Sequence, residues 1–532
     1  MMVGLASSKV QAAKSIMDSL RRKHNSIVSS YTLVCDAMMY LNSPDTDMRR
    51  GRSAAHHAKP PSELPKVYVR KFMRLLEPID LTKVPVLTVD IPATPGSSSE
   101  AYCAINVATA GSTDFRLYDK VPRITRYDQK IAISASGLTR PKFLRCIGSD
   151  GQTYHQLTKM DDVKPDAIMQ QVFTFVNDLL AHASPNDEDS GTASSSSHAN
   201  SSSPLHIRTY KVMPLAPRAG LMEVVRSSTS LSDYLHKGKN CAFSRYAAKS
   251  EWNYSICFHK MRAAEKLSHA EKLALFAQVC ANHKPQFRHF FQETFPNACD
   301  WFQRRENYAR SVAVNSIAGF ILGIGDRHCE NILLDLRSGE LVHIDFGYVF
   351  DQGLLLRVPE TVPFRLTRNI VDGLGILGTE GTFRHCCEQA LTVLRQNTDN
   401  LFMILEVIVH DPLFAWTRTV PQLLQRQDAH HREGARSTAS VADSTQSTDV
   451  TDLSGDASNT NDCTEDQGVS TGDKETDKDV SRVLLRIRQK LRGQAHATAE
   501  PLGVTGQVRP ANIVMPLLYA CVLVVSRDTE LL

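Results

Sequence analysis

The sequence predicts an α+β fold in two lobes, strand-rich first and helical second. Residues 84–225 hold short runs rich in β-branched residues, separated by turn signals, with a single clear helical pattern among them. Beyond residue 225 the apolar spacing becomes helical. One hairpin pattern breaks those helices: NILLDL, then Arg337-Ser338-Gly339-Glu340, then LVHIDF.

The elements follow in chain order. Residues 9–42 read as a helix, because Ile16, Leu20, Ile27, Tyr31, Val34 and Met38 recur at spacings of 4, 7, 4, 3 and 4. Pro60, Pro61 and Pro65 then mark a linker. The strand candidates are VPVLTVDI at 84–91, AYCAINVAT at 101–109, KIAISAS at 130–136, KFLRCIG at 142–148 and HIRTYKVMPL at 206–215. Residues 166–180 form the one helix between them. Later helices are expected at 269–282, 300–323, 379–395 and 398–410, the third with Phe383, Cys387, Leu391 and Leu394 on one face. A strand-rich lobe followed by a helical lobe with one hairpin is the bilobal plan of a kinase-like phosphotransferase, an architecture that does not by itself fix an activity.

Composition narrows the class. The 532 residues are 42% hydrophobic and 22% charged, which suits a globular chain of two to four domains. A net charge of +4 gives no support for a dedicated nucleic-acid or membrane-surface binder, and the basic cluster Arg49-Arg50-Gly51-Arg52 is short. The twelve cysteines show no CxxC pair and read as reduced intracellular thiols. The longest apolar run, 513–525, has thirteen residues broken by Pro516, short of the about 20 that span a bilayer. Residues 184–204 lack large apolar side chains, and residues 437–480 carry eleven Asp/Glu against two Lys. Both read as disordered insertions, the second acidic.

The chemistry lies in residues 323–347, GIGDRHCENILLDLRSGELVHIDFG. Asp326 and Asn331 stand five apart on a loop closing a long helix, and Asp345 opens Asp345-Phe346-Gly347 after the hairpin. Phosphoryl transfer needs a carboxylate to orient the attacking hydroxyl and take its proton. It also needs an amide oxygen and a second carboxylate to hold magnesium against the phosphates. Protein kinases place base and metal-binding Asn at this same separation, with a DFG aspartate as the other metal ligand. Here the triplet is Asp326-Arg327-His328, with the histidine after the carboxylate instead of before it. Between Tyr348 and Pro363 the only basic residue is Arg357, set against Asp351 and Glu360, so this loop suits an extended peptide better than a polyanionic head group.

The Asp-Arg-His order resembles the phosphatidylinositol-3-kinase-like superfamily. Residues 319–345, 359–374 (PETVPFRLTRNIVDGL), 381–387 (GTFRHCC), 301–316 and 405–416 resemble the ATM-like class of phosphatidylinositol-3-kinase-related protein kinases. The resemblance runs with gaps from about residue 9 to 424, and thinly again at 483–490. It implies the bilobal catalytic fold of that superfamily, preceded by a helical stub of the family's FAT region. It also implies a serine/threonine kinase directed to Ser/Thr-Gln sites in DNA double-strand-break signalling and checkpoint control. ATP and Mg²⁺ (Mn²⁺ as an alternative) would be required. Partners would be Ser/Thr-Gln protein substrates, a break-sensor complex and a second copy of the chain, in the nucleus.

Carried over residue by residue, the resemblance makes Asp326, His328, Asn331 and Asp345 catalytic, with Asn331 and Asp345 the metal ligands and His328 meeting the γ-phosphate. Lys159 would contact phosphate, with Asp166 as the helix carboxylate positioning it. Residues 134–142, with Gly137 alone, would be the phosphate loop. Backbone groups of Glu223 and Val225 would meet adenine, although Val224 stands where the family often has Trp. Phe346, Gly347, Pro363, Phe364 and Arg365 belong to the activation loop. Lys164-Pro165-Asp166 replaces the family's Arg-Gln-Asp and should shift the helix start. The expected domains are the FAT-like end at 1–60, an N-lobe at 84–225, a C-lobe at 226–425, the acidic insertion at 437–480, and a short helix with an atypical FATC-like tail at 481–532. Both ends look cut relative to the family. Thr445-Gln446 is a Thr-Gln dipeptide in the acidic stretch. Two other readings stay open on the residues: a phosphoinositide lipid kinase, and an inactive scaffold or fragment on the same fold.

Overall fold

The computed structural model describes residues 2–43, 62–89, 121–134, 140–182, 205–264, 267–355, 360, 362–409, 472–494 and 501–508. The first helix, Met2–Leu41 (α1), bends at His24, whose φ of −133° and ψ of 42° leave the helical region. Its last turns bury Val34, Ala37, Met38 and Leu41. The helix end docks on the first lobe through Lys142, whose Nζ donates to the Leu41 carbonyl at 2.6 Å. Asn42 Nδ2 donates to Thr158 Oγ1 at 2.5 Å. A buried lysine thus satisfies a carbonyl that a helix end leaves without a partner. Lys142, expected at the end of the phosphate loop, is committed to this junction.

The proline-marked linker gives way to a helix, Lys66–Leu76 (α2), directly after Pro65. Pro65 precedes the first turn, where a missing N–H costs nothing, and Val69, Phe72 and Leu76 repeat at helical spacing into the core. Val84, Val86 and Leu87 are also buried, but they form no strand. Leu81–Lys83 is a 3₁₀ turn, and Pro85 makes one isolated bridge to Arg123. A proline cannot donate to a ladder, so this stretch packs as irregular chain. Together with α1 and α2 it covers one face of the sheet, over Leu144, Cys146 and Leu221.

That sheet has six strands: Ile124–Tyr127 (β1), Ala132–Ile133 (β2), Lys142–Gly148 (β3), Thr153–Lys159 (β4), Val212–Ala216 (β5) and Ala219–Glu223 (β6). Their order is β1-β3-β4-β6-β5, with β2 also on β3 and every pair antiparallel. The β3–β4 hairpin turns at Gly151, with φ +75°. The register places Lys159 beside Gly220 and Gln156 beside Glu223. Expected strand 206–215 shortens to β5, because the helix Lys164–His182 (α3) captures its first half. Ile207 N–H donates to Asn177 Oδ1 at 2.7 Å, and Tyr210 N–H to Gln170 Oε1 at 2.9 Å. The run 101–109 lies outside the described residues.

The second lobe opens with Ser228–Ser230 (β7), which joins the predicted hairpin Ile332–Asp335 (β8) and Leu341–His343 (β9) in a three-stranded antiparallel sheet. Around it lie Leu231–Leu235 (α4), Ala242–Tyr246 (α5), Tyr254–Ala263 (α6), His269–Asn282 (α7), Arg288–Thr294 (α8), Ala298–Leu322 (α9), Arg368–Gly373 (α10), Thr382–Gln396 (α11) and Thr398–Val409 (α12). The axis of the lobe is α9. Asn297 caps it by accepting from Cys299 and Asp300 N–H, and Gly323 ends it in the left-handed region. The predicted face of α11 is buried at Phe383, Cys387, Leu391 and Leu394. Gly472–Arg492 (α13) starts inside the stretch read as a disordered acidic insertion. Its later half seats Ile487 and Leu491 in the core, which supports order there. The remainder of that insertion, and residues 184–204, lie outside the described residues. Val504–Val508 (α14) forms from the GVTGQV segment.

Candidate active site

The candidate site is built where α9 ends. Gly323 turns the chain with φ +60° and ψ +47°. Asp326 and Asp345 then both take positive φ, +58° and +59°. For a side-chain-bearing residue this conformation costs about 1–2 kcal/mol, so surrounding bonds must impose it.

The main brace is Arg327, a buried residue at the centre of the triplet. Its Nε donates to the Gly325 carbonyl at 2.9 Å, Nη1 donates to the Ile344 carbonyl at 2.8 Å, and Nη2 donates to the Asp345 carbonyl. Its guanidinium also lies 5.2 Å from the ring centroid of Phe346. Burial lowers the Arg327 pKa, while Asp326, Asp345 and Glu360 counter that by favouring the charged form. One guanidinium therefore fixes the start of the triplet 345–347 relative to the loop bearing Asp326.

Asn331 is positioned by Asp326 itself: its Nδ2 donates to the Asp326 carbonyl at 3.0 Å. Because the amide nitrogen is used this way, Oδ1 is the end available for a cation. The Asn331 carbonyl accepts from Ile344 N–H at 3.0 Å, linking loop and hairpin. His328 caps the 3₁₀ turn Cys329–Asn331, its Nδ1 accepting from Glu330 N–H at 3.2 Å. An accepting Nδ1 puts the proton of a neutral ring on Nε2.

From the first lobe come Lys159, at the end of β4, and Asp166, in the first turn of α3. Lys159 Nζ is 3.8 Å from Asp166 Oδ2, and both residues are buried. Asp166 Oδ1 accepts from Phe346 N–H at 3.1 Å and from the Tyr210 hydroxyl at 3.4 Å. Burial raises the Asp166 pKa. Lys159 opposes that shift, and the charge on Asp345 adds to it. Two carboxylates sense each other here beside one lysine, an arrangement that a divalent cation would relieve. Among the described residues no group of three or more His, Cys, Asp or Glu could hold a metal.

Glu223 ends β6. Its N–H donates to the Lys211 carbonyl at 2.7 Å and its Oε2 accepts from Lys211 N–H at 3.0 Å, so the side chain is tied to the chain before β5. The Val225 carbonyl accepts from Ser228 Oγ at 2.7 Å, and Val224 N–H donates to the His155 carbonyl at 3.0 Å. Those bonds hold the connection between the lobes. Of the expected phosphate loop, residues 134, 140 and 141 lie in the β2–β3 connection, Lys142 opens β3, and Gly137 is outside the described residues. Phe346 is fully buried, edge-on to Phe173 with centroids 5.3 Å apart. Gly347 follows it. Phe364 is buried, while Pro363 and Arg365 are half-buried, and Arg365 Nη2 lies 3.8 Å from Cys329 Sγ. Residues 356–359, including Arg357, are outside the described residues.

Sequence reasoning missed three members of this arrangement. By sequence Arg327 is only the middle of the triplet, Tyr210 only part of a strand pattern, and Glu360 only a charge set against Arg357. No local signal marks Tyr210, whose contact with Asp166 spans 44 positions.

The family model described as phosphatidylinositol 3- and 4-kinase matches residues 153–418, half of the chain. The chain is 35% identical over 505 residues to the serine-protein kinase ATM of Sus scrofa, covering 95% of this chain and 14% of that protein. It is 38% identical over 382 residues to the serine/threonine-protein kinase tel1 of Schizosaccharomyces pombe, covering 70% of this chain and 12% of that one. A solved structure described as the FAT and kinase domain of CtTel1 superposes with a TM-score of 0.68 and 28% identity, covering 99% of this chain and 30% of that chain. Among the described residues no helix is long and apolar enough to cross a membrane. The chain thus spans a small part of its relatives, and it belongs to the phosphatidylinositol 3- and 4-kinase family as an ATM/Tel1-like member.

Proposed function

We propose that the chain is the catalytic part of an ATP- and Mg²⁺-dependent protein serine/threonine kinase that phosphorylates Ser or Thr followed by Gln. The observation that carries this reading is the convergence of Asp326, Asn331 and Asp345. Asn331 is bonded to the Asp326 carbonyl, and Arg327 joins the Asp326 loop to the Asp345 carbonyl.

In this reading Asp326 orients the substrate hydroxyl and receives its proton. His328, with a donor on Nε2, faces charge on the transferring phosphoryl. Lys159 binds an upstream phosphate of ATP, and Asp166 holds that lysine in place. Backbone groups of Glu223 and Val225 meet the adenine, and residues near Gly137 cover the phosphates. Asn331 Oδ1 and the Asp345 carboxylate would hold Mg²⁺, or Mn²⁺ in its place, and so supply positive charge against the phosphates. The rest of the acceleration is positioning and fixed electrostatics. Phe346, Gly347, Pro363, Phe364 and Arg365 belong to the activation loop, in which buried Phe346 and Phe364 serve as supports and half-buried Gly347, Pro363 and Arg365 face the path of an extended peptide. The N-lobe is 84–225 and the C-lobe 226–425.

The ATM and tel1 relatives are named as serine- and serine/threonine-protein kinases, which supports the protein-kinase reading; the role in DNA double-strand-break signalling, the nuclear location and a break-sensor complex as partner are proposed on the family resemblance. One neighbour is described as a complete CtTel1 dimer with C2 symmetry, which supports self-association here.

The test offers Mg-ATP with a Ser-Gln peptide in one reaction and phosphatidylinositol vesicles in another. Transfer to the peptide serine, reduced when Gln is replaced by Ala, is expected. Transfer to the lipid alone would overturn the reading in favour of a lipid kinase, and Mg-ATP binding without any transfer would favour a scaffold.

A further inference from the structure

We infer that Glu360 is a positioning residue that sets the backbone geometry of Asp326. The inference rests on the reading of Asp326 as the proton acceptor. The Asp326 N–H forks between both carboxylate oxygens of Glu360, at 3.0 Å to Oε1 and 2.9 Å to Oε2. Asp326 holds φ +58°, a conformation side-chain-bearing residues rarely adopt without a partner that rewards it. A carboxylate accepting a backbone N–H is such a partner, because charge strengthens the bond.

The position of this carboxylate is built by its surroundings. Glu360 N–H donates to the Gly353 carbonyl at 3.0 Å, fixing the backbone that carries it. Gly325 and Gly353 leave the slot it fills: a Cβ on Gly325 would lie 2.6 Å from Glu360 Oε2, and one on Gly353 would lie 2.5 Å from it. Gly325 is itself held, its N–H donating to the Tyr348 carbonyl at 2.9 Å. This one carboxylate therefore holds the base through the Asp326 N–H. A cavity of about 380 Å³ borders Glu360, Gly325 and Lys490, so a shorter side chain here empties no packed core.

The experiment compares Glu360→Ala and Glu360→Gln with the unaltered chain. Glutamine keeps one acceptor oxygen toward Asp326. Glu360→Ala is expected to lower kcat about 100-fold, with KM for ATP and peptide held within about twofold, and Glu360→Gln to recover most of that loss. In an Asp326→Ala background the further change Glu360→Ala should alter residual transfer by less than about twofold. Hydrogen exchange of the Asp326 amide gives a readout independent of catalysis: protected in the unaltered chain and in Glu360→Gln, fast in Glu360→Ala. Equal exchange in all three, or a kcat that Glu360→Ala leaves unchanged, would overturn the inference. If the unaltered chain transfers no phosphate yet Asp326 exchange follows this order, the kinase reading fails and the role of Glu360 stands.

Discussion

Asp166 and Phe346, 180 positions apart, are joined by a hydrogen bond of 3.1 Å from the Phe346 N–H to Asp166 Oδ1. The other oxygen of the same carboxylate lies 3.8 Å from Lys159 Nζ. Helix α3 thus holds both Lys159, proposed to meet phosphate, and the start of the triplet 345–347. Asp166→Ala removes both contacts in a buried site, where leaving one charge of a pair costs about 3–5 kcal/mol. The expected result is a rise in KM for ATP of about tenfold, a fall in kcat of about 100-fold, and a lower melting temperature. Steady-state kinetics with a thermal melt check this; unchanged ATP dependence would contradict it.

A second prediction concerns how α3 is placed. Gly220 pairs with Lys159 in the sheet, and a Cβ on it would overlap the Val163 side chain, just ahead of α3. Gly220→Ala should push Val163, and with it Asp166, away from Lys159, at a cost of about 1–3 kcal/mol for overpacking. The second change Val163→Ala should relieve the clash and restore part of the ATP affinity. Nucleotide binding measured on the three variants tests the idea, which fails if Gly220→Ala binds ATP as the unaltered chain does.

The third prediction is a pH dependence of stability. His236 stacks on Phe243 at 5.0 Å, and Phe243 stacks on His283 at 4.2 Å. Burial, with repulsion from His283 and Arg365, pulls the His236 pKa from 6.5 to about 3, and burial also lowers that of His283. The folded state keeps His236 neutral while the unfolded chain protonates it, so below pH 6.5 the unfolded chain binds more protons and stability falls. His236 alone contributes about 1.4 kcal/mol of loss per pH unit. That contribution is complete above pH 6.5 and lost progressively toward pH 3. His236→Phe keeps the stack without the titration. Melting temperatures between pH 7.5 and 5.5 should fall less steeply in this variant; parallel curves would contradict the assignment.

The legible parts of the fold were those with local signatures. Helix α9 lies between Asn297 and Gly323, which cap it, and the β8–β9 hairpin announces itself by two apolar runs around Ser338-Gly339. Asp326, Asn331 and Asp345 stand within one short segment, so the bonds that join them through Asn331 and Arg327 are of a kind that short spacing announces. What stayed hidden depends on distant partners. Residues 206–211 have strand composition, but Asn177 and Gln170 claim their N–H groups. Residues 84–89 carry apolar side chains that look like a strand, and Pro85 with the neighbouring helices makes them a packed irregular edge. The acidic composition of 437–480 concealed the start of α13, whose order comes from apolar residues farther on and from Lys490, 2.8 Å from Asp351 Oδ1. Glu360 and Tyr210 act on residues 34 and 44 positions away, beyond the reach of any local pattern.

The central claim is that Asp345, Asn331 and Asp326 form a phosphotransfer site. It is tested most directly by Asp345→Ala, with Mg²⁺-dependent transfer from ATP to a Ser-Gln peptide as the readout. The structure predicts a loss of at least about 1,000-fold in kcat, with the melting temperature within a few degrees of the unaltered chain. Near-normal transfer by Asp345→Ala would contradict the account.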